Sequence, residues 1–451
     1  MNSPLLTDLY QLTMGQAYWH HGRHRQEAIF HLFFRRAPFG EQAALFAGLE
    51  TALEFLRKLA FGKKEVAYLA SLVGNNDQPL FSPDYLSYLR ELEWTLTIKA
   101  PPEGSLVLPH QPLLQVRGPI LQAQLVETAL LNFVNFQTLI ATQAARVCEA
   151  AGKDPVLEFG LRRAQGPDGG LSASRAAYLG GCAGTSNVLA GYRYGIPLKG
   201  THAHSWVMSF EDELDSFRAY ADALPNNTTL LVDTYDTVAG IKKAIIVARE
   251  LEARGHHFMG IRLDSGDLHA LSLAARSLLD DAGFPTARIV ASNDLDVATI
   301  RELKARGASI DTWGVGTRLI TAAEQPALGG VYKLGALQTD KGWRETIKLS
   351  EDPVKASNPG CLNVRKDEAR WTLFNEWEEE ESLPTALLQP VMKEGKVLQP
   401  SPPLASLRQR ALAEWAQYRE QRPTLHRSPR LEARRAALLA ATLPPAESTP
   451  A

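Results

Sequence analysis

Between residues 155 and 313 a short apolar run recurs six times, at 155–159, 196–198, 229–232, 259–263, 288–291 and 310–313. The middle runs are each followed by a polar cluster and then by a segment with helical apolar spacing. They recur at intervals of roughly 20–45 residues, the size range of a βα unit. Strands that alternate with helices build a parallel sheet with its helices outside. Six units, with 330–337 as a further strand, exceed what a small open sheet needs, so the expected fold is α/β, an irregular TIM-like barrel. Chemistry in such a barrel sits at the C-terminal ends of the strands. The residues just beyond the runs fit that rule: Arg162 and Arg163, Thr201 and His204, Asp233 and Asp236, Asp264 and Asp267, Ser292 and Asn293, then Gly314, Gly316 and Thr317.

The flanking sequence has a different grammar. Helical spacing at Leu5, Leu6, Leu9, Leu12 and Met14, and again at Leu45, Leu49, Leu53 and Leu56, encloses a β-like run at 28–34. Strands are expected at 94–100 and 105–116, broken by the turn Pro101-Pro102-Glu103-Gly104, and a long helix runs from about residue 120 towards Gly152. After 345 the pattern is mixed, with an acidic, solvated stretch at 378–381, a helix at 404–420 and a tail expected to fray. A chain of 451 residues exceeds a single core, so two compact units are expected.

With 48 basic against 50 acidic residues, no global field favours nucleic acid or an anionic membrane, and any anion site must be local. Cys148, Cys182 and Cys361 form neither a disulfide framework nor a zinc signature, which fits a reducing compartment. Asp8, Gln11 and Gln16 interrupt the apolar N-terminus, and no apolar span reaches ~20 residues. The expected location is the cytoplasm.

Five segments carry chemistry. Gly314-Val315-Gly316-Thr317 offers backbone N–H groups and a hydroxyl to a terminal phosphate, with Ser292-Asn293-Asp294 completing the cradle; a bare glycine turn and a helix cap are the alternatives. In the run from Ile261 to Asp267, Arg262 and Asp264 share one face of a strand. That pair suits a polyol or a magnesium diphosphate, or else is a structural ion pair. Thr201-His202-Ala203-His204-Ser205 lacks a third metal ligand at a recognisable spacing, so one histidine is a base or nucleophile, or both are structural. In Leu231-Val232-Asp233-Thr234-Tyr235-Asp236-Thr237, Asp236 suits a helix cap, and Asp233 is free to meet a substrate hydroxyl or the histidine. Glu158-Phe159-Gly160-Leu161-Arg162-Arg163 sets an aromatic ring beside two guanidinium groups, as a flat anionic aromatic acid requires, although Phe159 also suits a core.

In order, EFGLRRAQGPDGGLSASRA, KGTHAHSWV, LLVDTYDT, GIRLDSGDL, VASNDLD and GVGT resemble the nicotinate phosphoribosyltransferase family. The likeness extends to LLTDLYQLTMGQAYW and FHLFFRRAPFG near the start and to GGVYKL and KLSEDPVKASNPG later. It implies transfer of phosphoribosyl from phosphoribosyl pyrophosphate to nicotinate, with Mg2+ and with coupled hydrolysis of ATP as co-substrate. It also implies a type II phosphoribosyltransferase barrel at 121–344 and an α/β sandwich domain assembled from 1–120 and 345–451. A homodimer with shared active sites follows from the same likeness.

Carried over by motif, His204 is the transiently phosphorylated histidine, and His202 does not match. Arg262 and Asp264 match contacts to phosphoribosyl and pyrophosphate, with Asp264 on the magnesium, and Asp233 matches a neighbour of the ribose or phosphohistidine. Phe159 matches the ring-stacking position with Arg162 at the carboxylate. Tyr10, with Asp8 nearby, would stack on the opposite ring face from the neighbouring subunit. Similar enzymes that use nicotinamide place a carboxylate near Ser186; here Ser186 and Asn187 carry none, which favours the acid over the amide. The remaining alternatives are a nicotinamide phosphoribosyltransferase and a non-catalytic barrel that senses phosphoribosyl pyrophosphate or a nucleotide.

Overall fold

The computed structural model describes residues 3–348, 356–378 and 386–442. The chain divides into two compact units, residues 140–326 and residues 1–139 with 327 onward. The 140–326 unit contains β1 (Val156–Glu158), β2 (Gly184–Thr185), β3 (Thr229–Leu231), β4 (Gly260–Leu263), β5 (Arg288–Ala291) and β6 (Thr312–Val315). They form one sheet in the order β2-β1-β6-β5-β4-β3. Every neighbouring pair is parallel, so all six strands end at the same edge of the sheet.

Strands of a parallel sheet are buried on both faces, and β1 and β6 are buried at every position. In β4, buried Ile261 and Leu263 flank a half-buried Arg262. The connections after β3, β4 and β5 each end in an aspartate whose carboxylate caps the next helix: Asp236 accepts from Ala239 N, Asp267 from His269 N and Ala270 N, and Asp296 from Thr299 N. Such caps contribute about 1 kcal/mol each. They also separate structural aspartates from Asp233 and Asp264, which stand earlier, at the strand ends.

Two expected strands are corrected. The run at 196–198 does not form a strand; only Leu198 pairs, in a single parallel bridge to Thr185. Pro197 supplies no N–H to a ladder, and the outer strand is the two-residue β2. At the other edge, Leu231 N–H of β3 donates to His202 Nε2 at 3.1 Å. The second correction concerns 330–337, expected as a barrel strand. Gly330–Thr339 instead pairs antiparallel with Glu27–Phe34 in the other unit, because an apolar run sets a strand without setting its partner.

That other unit holds a seven-stranded antiparallel sheet, ordered Gly342–Glu345, Gly330–Thr339, Glu27–Phe34, Leu114–Pro119, Thr97–Ala100, Gln389–Lys393 and Lys396–Val397. Strands from both ends of the chain therefore share one sheet. The expected strand at 105–116 divides into Leu106–Val107 and Leu114–Pro119. A three-stranded sheet of Leu362–Arg365, Arg370–Asn375 and Thr424–Arg427 follows, then the helix Leu404–Gln421 where one was expected. The tail expected to fray carries a helix at Pro429–Thr442; beyond 442 it lies outside the described residues, as do 379–381 of the acidic stretch. Cys148, Cys182 and Cys361 form no disulfide. Among the described residues, no helix is long and apolar enough to cross a membrane.

Candidate active site

At the C-terminal edge of the parallel sheet, Arg262 joins three neighbouring segments. Its Nε donates to Ser292 Oγ at 2.8 Å, one terminal nitrogen to Thr201 Oγ1 at 3.1 Å, and the other to Asp264 Oδ1 at 2.9 Å. Ser292 Oγ also donates to Asp264 Oδ1 at 2.5 Å. Burial alone would raise the Asp264 carboxyl, but the Ser292 hydroxyl and the Arg262 charge hold it below its ordinary value. A guanidinium held from three sides presents a fixed fork to an oxyanion.

Asp233, 7% exposed, accepts through Oδ2 from Asp264 N and Ser265 Oγ, both at 2.7 Å. Its other oxygen, Oδ1, is buried without a hydrogen-bond partner among the described residues. An orphan buried carboxylate oxygen is costly. His204 opens the short helix His204–Met208. Its Nδ1 lies 3.1 Å from Thr234 Oγ1 and its Nε2 3.7 Å from Asp264 Oδ2. His202 is a different kind of residue, buried against Tyr220, with Nε2 committed to Leu231 N–H. Burial lowers its pKa to about 4, so the ring is neutral and structural.

Phe159, half-buried just past β1, lies against Gly314. A Cβ on Gly314 would stand 2.7 Å from the Phe159 ring and 3.4 Å from Ser292 Cβ, so only glycine admits the ring here. The Arg262 guanidinium is 5.8 Å from the centre of the same ring. Beneath it, fully buried Glu158 accepts from Gly160 N, from Ser174 Oγ at 2.8 Å and from Thr185 Oγ1 at 2.5 Å. Glu158 thus ties the loop bearing Phe159 and Arg162 to the loop bearing Ser186.

The structure brings Phe159, Thr201, His204, Asp233, Arg262, Asp264, Ser292 and Gly314 into one contact network. Arg162 is exposed on the short 3-10 turn Leu161–Arg163 past β1 and Ser186 on the loop past β2, Asn293 and Thr317 are exposed past β5 and β6, and Gly316 is half-buried beside Phe159 O. Asn293 has φ of 99°, a left-handed turn that ends β5, while the cap of the next helix falls to Asp296. Asp8 and Tyr10 belong to the other unit, at the start of the helix Leu9–His20, where Asp8 Oδ2 accepts from Thr128 Oγ1 at 2.7 Å. Tyr10 is 49% exposed. Sequence reasoning passed over Thr234, Ser265 and Glu158, although all three stand inside segments that were singled out. Among the described residues, no three His, Cys, Asp or Glu side chains are grouped to hold a metal ion.

The model described as the nicotinate phosphoribosyltransferase (NAPRTase) N-terminal domain matches residues 5–135, and that described as the NAPRTase family matches residues 155–369. The nicotinate phosphoribosyltransferase of Bacillus subtilis is 50% identical over 361 residues, covering 80% of this chain and 72% of that protein. The Homo sapiens protein of the same name is 40% identical over 413 residues, covering 79% of this chain and 75% of its own length. The crystal structure of human nicotinic acid phosphoribosyltransferase matches with a TM-score of 0.82 at 32% identity, covering 96% of this chain and 99% of that one.

Proposed function

Since the chain belongs to the nicotinate phosphoribosyltransferase family, we infer that the network around Arg262 is where phosphoribosyl transfer takes place. The enzyme converts nicotinate and phosphoribosyl pyrophosphate to nicotinate mononucleotide and pyrophosphate, a reaction of NAD biosynthesis. In the transfer, the bond from the anomeric carbon to the pyrophosphate oxygen breaks and its electron pair leaves with pyrophosphate. The nicotinate ring nitrogen then supplies the new bond. Charge develops on the sugar and the leaving group, so positioned charges count for more than a strong base.

The observation that carries this reading is the three-sided hold on Arg262, which aims a fixed guanidinium at an oxyanion. Arg262 grips the phosphoribosyl pyrophosphate, and Asp233 Oδ1 accepts from a ribose hydroxyl. Phe159 stacks on the pyridine ring, with Arg162 at its carboxylate. Ser292, Asn293, Gly314, Gly316 and Thr317 form the wall for the terminal phosphate. Ser186 places no carboxylate near the ring, which favours the acid over the amide. Asp264 Oδ1 is occupied by Arg262 and Ser292, so Oδ2, 3.7 Å from His204 Nε2, is the oxygen left for magnesium. A magnesium ion held there chiefly by substrate oxygens would neutralise leaving-group charge. ATP hydrolysis is coupled through transient phosphorylation of His204, steadied at Nδ1 by Thr234.

The sheet is read as an irregular barrel, closed by one segment. Leu198 bridges to β2 at one edge, and His202, four residues on, accepts from β3 at the other. The active form is a cytoplasmic homodimer in which Tyr10 and Asp8 of one subunit reach the nicotinate site of the other.

Purified protein given phosphoribosyl pyrophosphate, magnesium and ATP is expected to form the mononucleotide from nicotinate and not from nicotinamide. Comparable product from the amide would make it a nicotinamide enzyme. Binding of phosphoribosyl pyrophosphate without turnover would make it a sensor. His204→Ala should abolish the coupling to ATP while His202→Ala keeps it.

A further inference from the structure

A second concentration of cationic side chains surrounds a cavity of about 330 Å³ in the unit built from the chain ends. Its walls include His110, Asn358, Arg370, His426, Arg427 and Glu432. Arg370–Asn375 and Thr424–Arg427 are adjacent parallel strands, with Thr372 opposite His426 and Leu373 opposite Arg427. The 14-residue helix Pro429–Thr442 begins directly after them.

The charges around this cavity do not balance. Among the described residues, Glu432 is the only carboxylate in its wall. It bonds to Arg427 at 2.8 Å and lies 3.9 Å from Arg435. Arg427 Nε is spent on Asn358 Oδ1 at 2.7 Å. Arg35 and Arg370 form no ion pair among the described residues. Arg435 keeps a buried Nε with no hydrogen-bond partner among the described residues, in a side chain only 13% exposed. The guanidinium groups of Arg427, Arg35 and Arg435 bear on one point: after burial, they are what holds the His110 imidazole below its ordinary pKa. His110 itself has φ of 69°, a backbone conformation uncommon for a residue with a side chain. Like charges gather at a cost unless an anion sits among them, and a buried guanidinium nitrogen without an acceptor adds to that cost.

We propose that this cavity binds a phosphate-class oxyanion, either inorganic phosphate or the phosphoryl group of a small metabolite. Planar guanidinium forks take such oxyanions bidentately, and the helix start at Pro429 adds a partial positive charge. Arg370, His426, Arg427 and Glu432 lie past residue 369, where the family match ends. The site is therefore not implied by the shared transfer chemistry.

The test is calorimetric titration of the full chain with inorganic phosphate and, separately, with AMP. Phosphate also enters the transfer site, so the titrations are run in an Arg262→Ala background. There, binding should persist, weaken at least tenfold with Arg370→Glu, and tighten severalfold with Glu432→Gln, which removes the competing internal carboxylate. Arg370 is exposed, so Arg370→Glu on the otherwise native enzyme should keep nicotinate turnover within about twofold, which shows that the variant folds. Comparable binding of phosphate and AMP would identify the phosphoryl group alone as the recognised feature. Binding of AMP only would identify an esterified phosphate. No titratable binding of either in the Arg262→Ala protein, or binding indifferent to both Arg370→Glu and Glu432→Gln, would overturn the proposal.

Discussion

Arginine is used in opposite ways at the two cationic sites, one in each unit. In residues 140–326, Arg262 spends three donors on Ser292, Thr201 and Asp264, and its position is set before any substrate arrives. In the other unit, Arg35 and Arg370 have no ion pair among the described residues, and Glu432 serves both Arg427 and Arg435. The contrast follows from sheet topology. Parallel strands all end at one edge, so polar residues past β3, β4 and β5 become neighbours and satisfy one another. Around the second cavity Arg370 and Arg427 stand on adjacent strands and Arg435 on the helix that follows, and two of these guanidinium groups share the one carboxylate of Glu432. An arginine already satisfied by the protein positions chemistry, whereas one left unsatisfied invites a ligand.

The largest break in this contrast should come from Arg262→Ala. Removing a preorganised charge clamp typically costs on the order of 10²–10³ in turnover. The same change removes much of what opposes burial at Asp264, so its carboxyl should titrate higher. The acid limb of the kcat/KM profile for phosphoribosyl pyrophosphate should then move to higher pH; an unmoved limb would show that Asp264 does not depend on the arginine.

A smaller effect is expected at Gly314. The new methyl of Gly314→Ala must displace the Phe159 ring it would otherwise meet at 2.7 Å. Misplacement on that scale costs about 10–100-fold, and it should fall on KM for nicotinate rather than on KM for phosphoribosyl pyrophosphate. An equal rise in both constants would mean that Phe159 does not hold the pyridine ring.

The buried histidines give the smallest changes, and these are in stability. His202 and His31 both take a backbone N–H on Nε2, from Leu231 and Leu362, and burial lowers their pKa values to about 4 and about 3. Both folded values lie below the ordinary 6.5, so the unfolded chain takes up protons first as pH falls. Their stabilisation is complete above that value and is lost on acidification, for His202 between 6.5 and about 4. His202→Gln should therefore shrink the difference in unfolding free energy between pH 7 and pH 4.5, by at most on the order of 3 kcal/mol. His202→Ala should cost ~1–3 kcal/mol at neutral pH by orphaning the Leu231 N–H, whereas His204→Ala should leave stability within about 0.5 kcal/mol. Chemical denaturation at the two pH values separates these cases.

The βα repeat was legible because parallel strands buried on both faces leave short apolar runs, as at 156–158, 260–263 and 312–315. β2 was not, since Gly184 and Thr185 are buried by their neighbours and carry no apolar signal of their own. The run at 196–198 misled for the converse reason, being apolar enough for a strand but holding Pro197. Strand Gly330–Thr339 was visible, but its partner was not, because pairing across 300 residues of chain leaves no local trace. At the site, charged residues past strand ends could be found by position. Thr234 and Ser265 could not, because hydroxyls are common in every such loop. Nothing local told His202 from His204; that came from the matched motif, and the structure separates them by burial and by what each nitrogen touches.

The most direct test is a crystal structure of the enzyme with phosphoribosyl pyrophosphate and magnesium. The diphosphate should lie on the Arg262 guanidinium, with a ribose hydroxyl on Asp233 Oδ1 and the pyridine site open beside Phe159. A diphosphate bound elsewhere, with no substrate oxygen on the Arg262 guanidinium and no hydroxyl on Asp233 Oδ1, would contradict that placement.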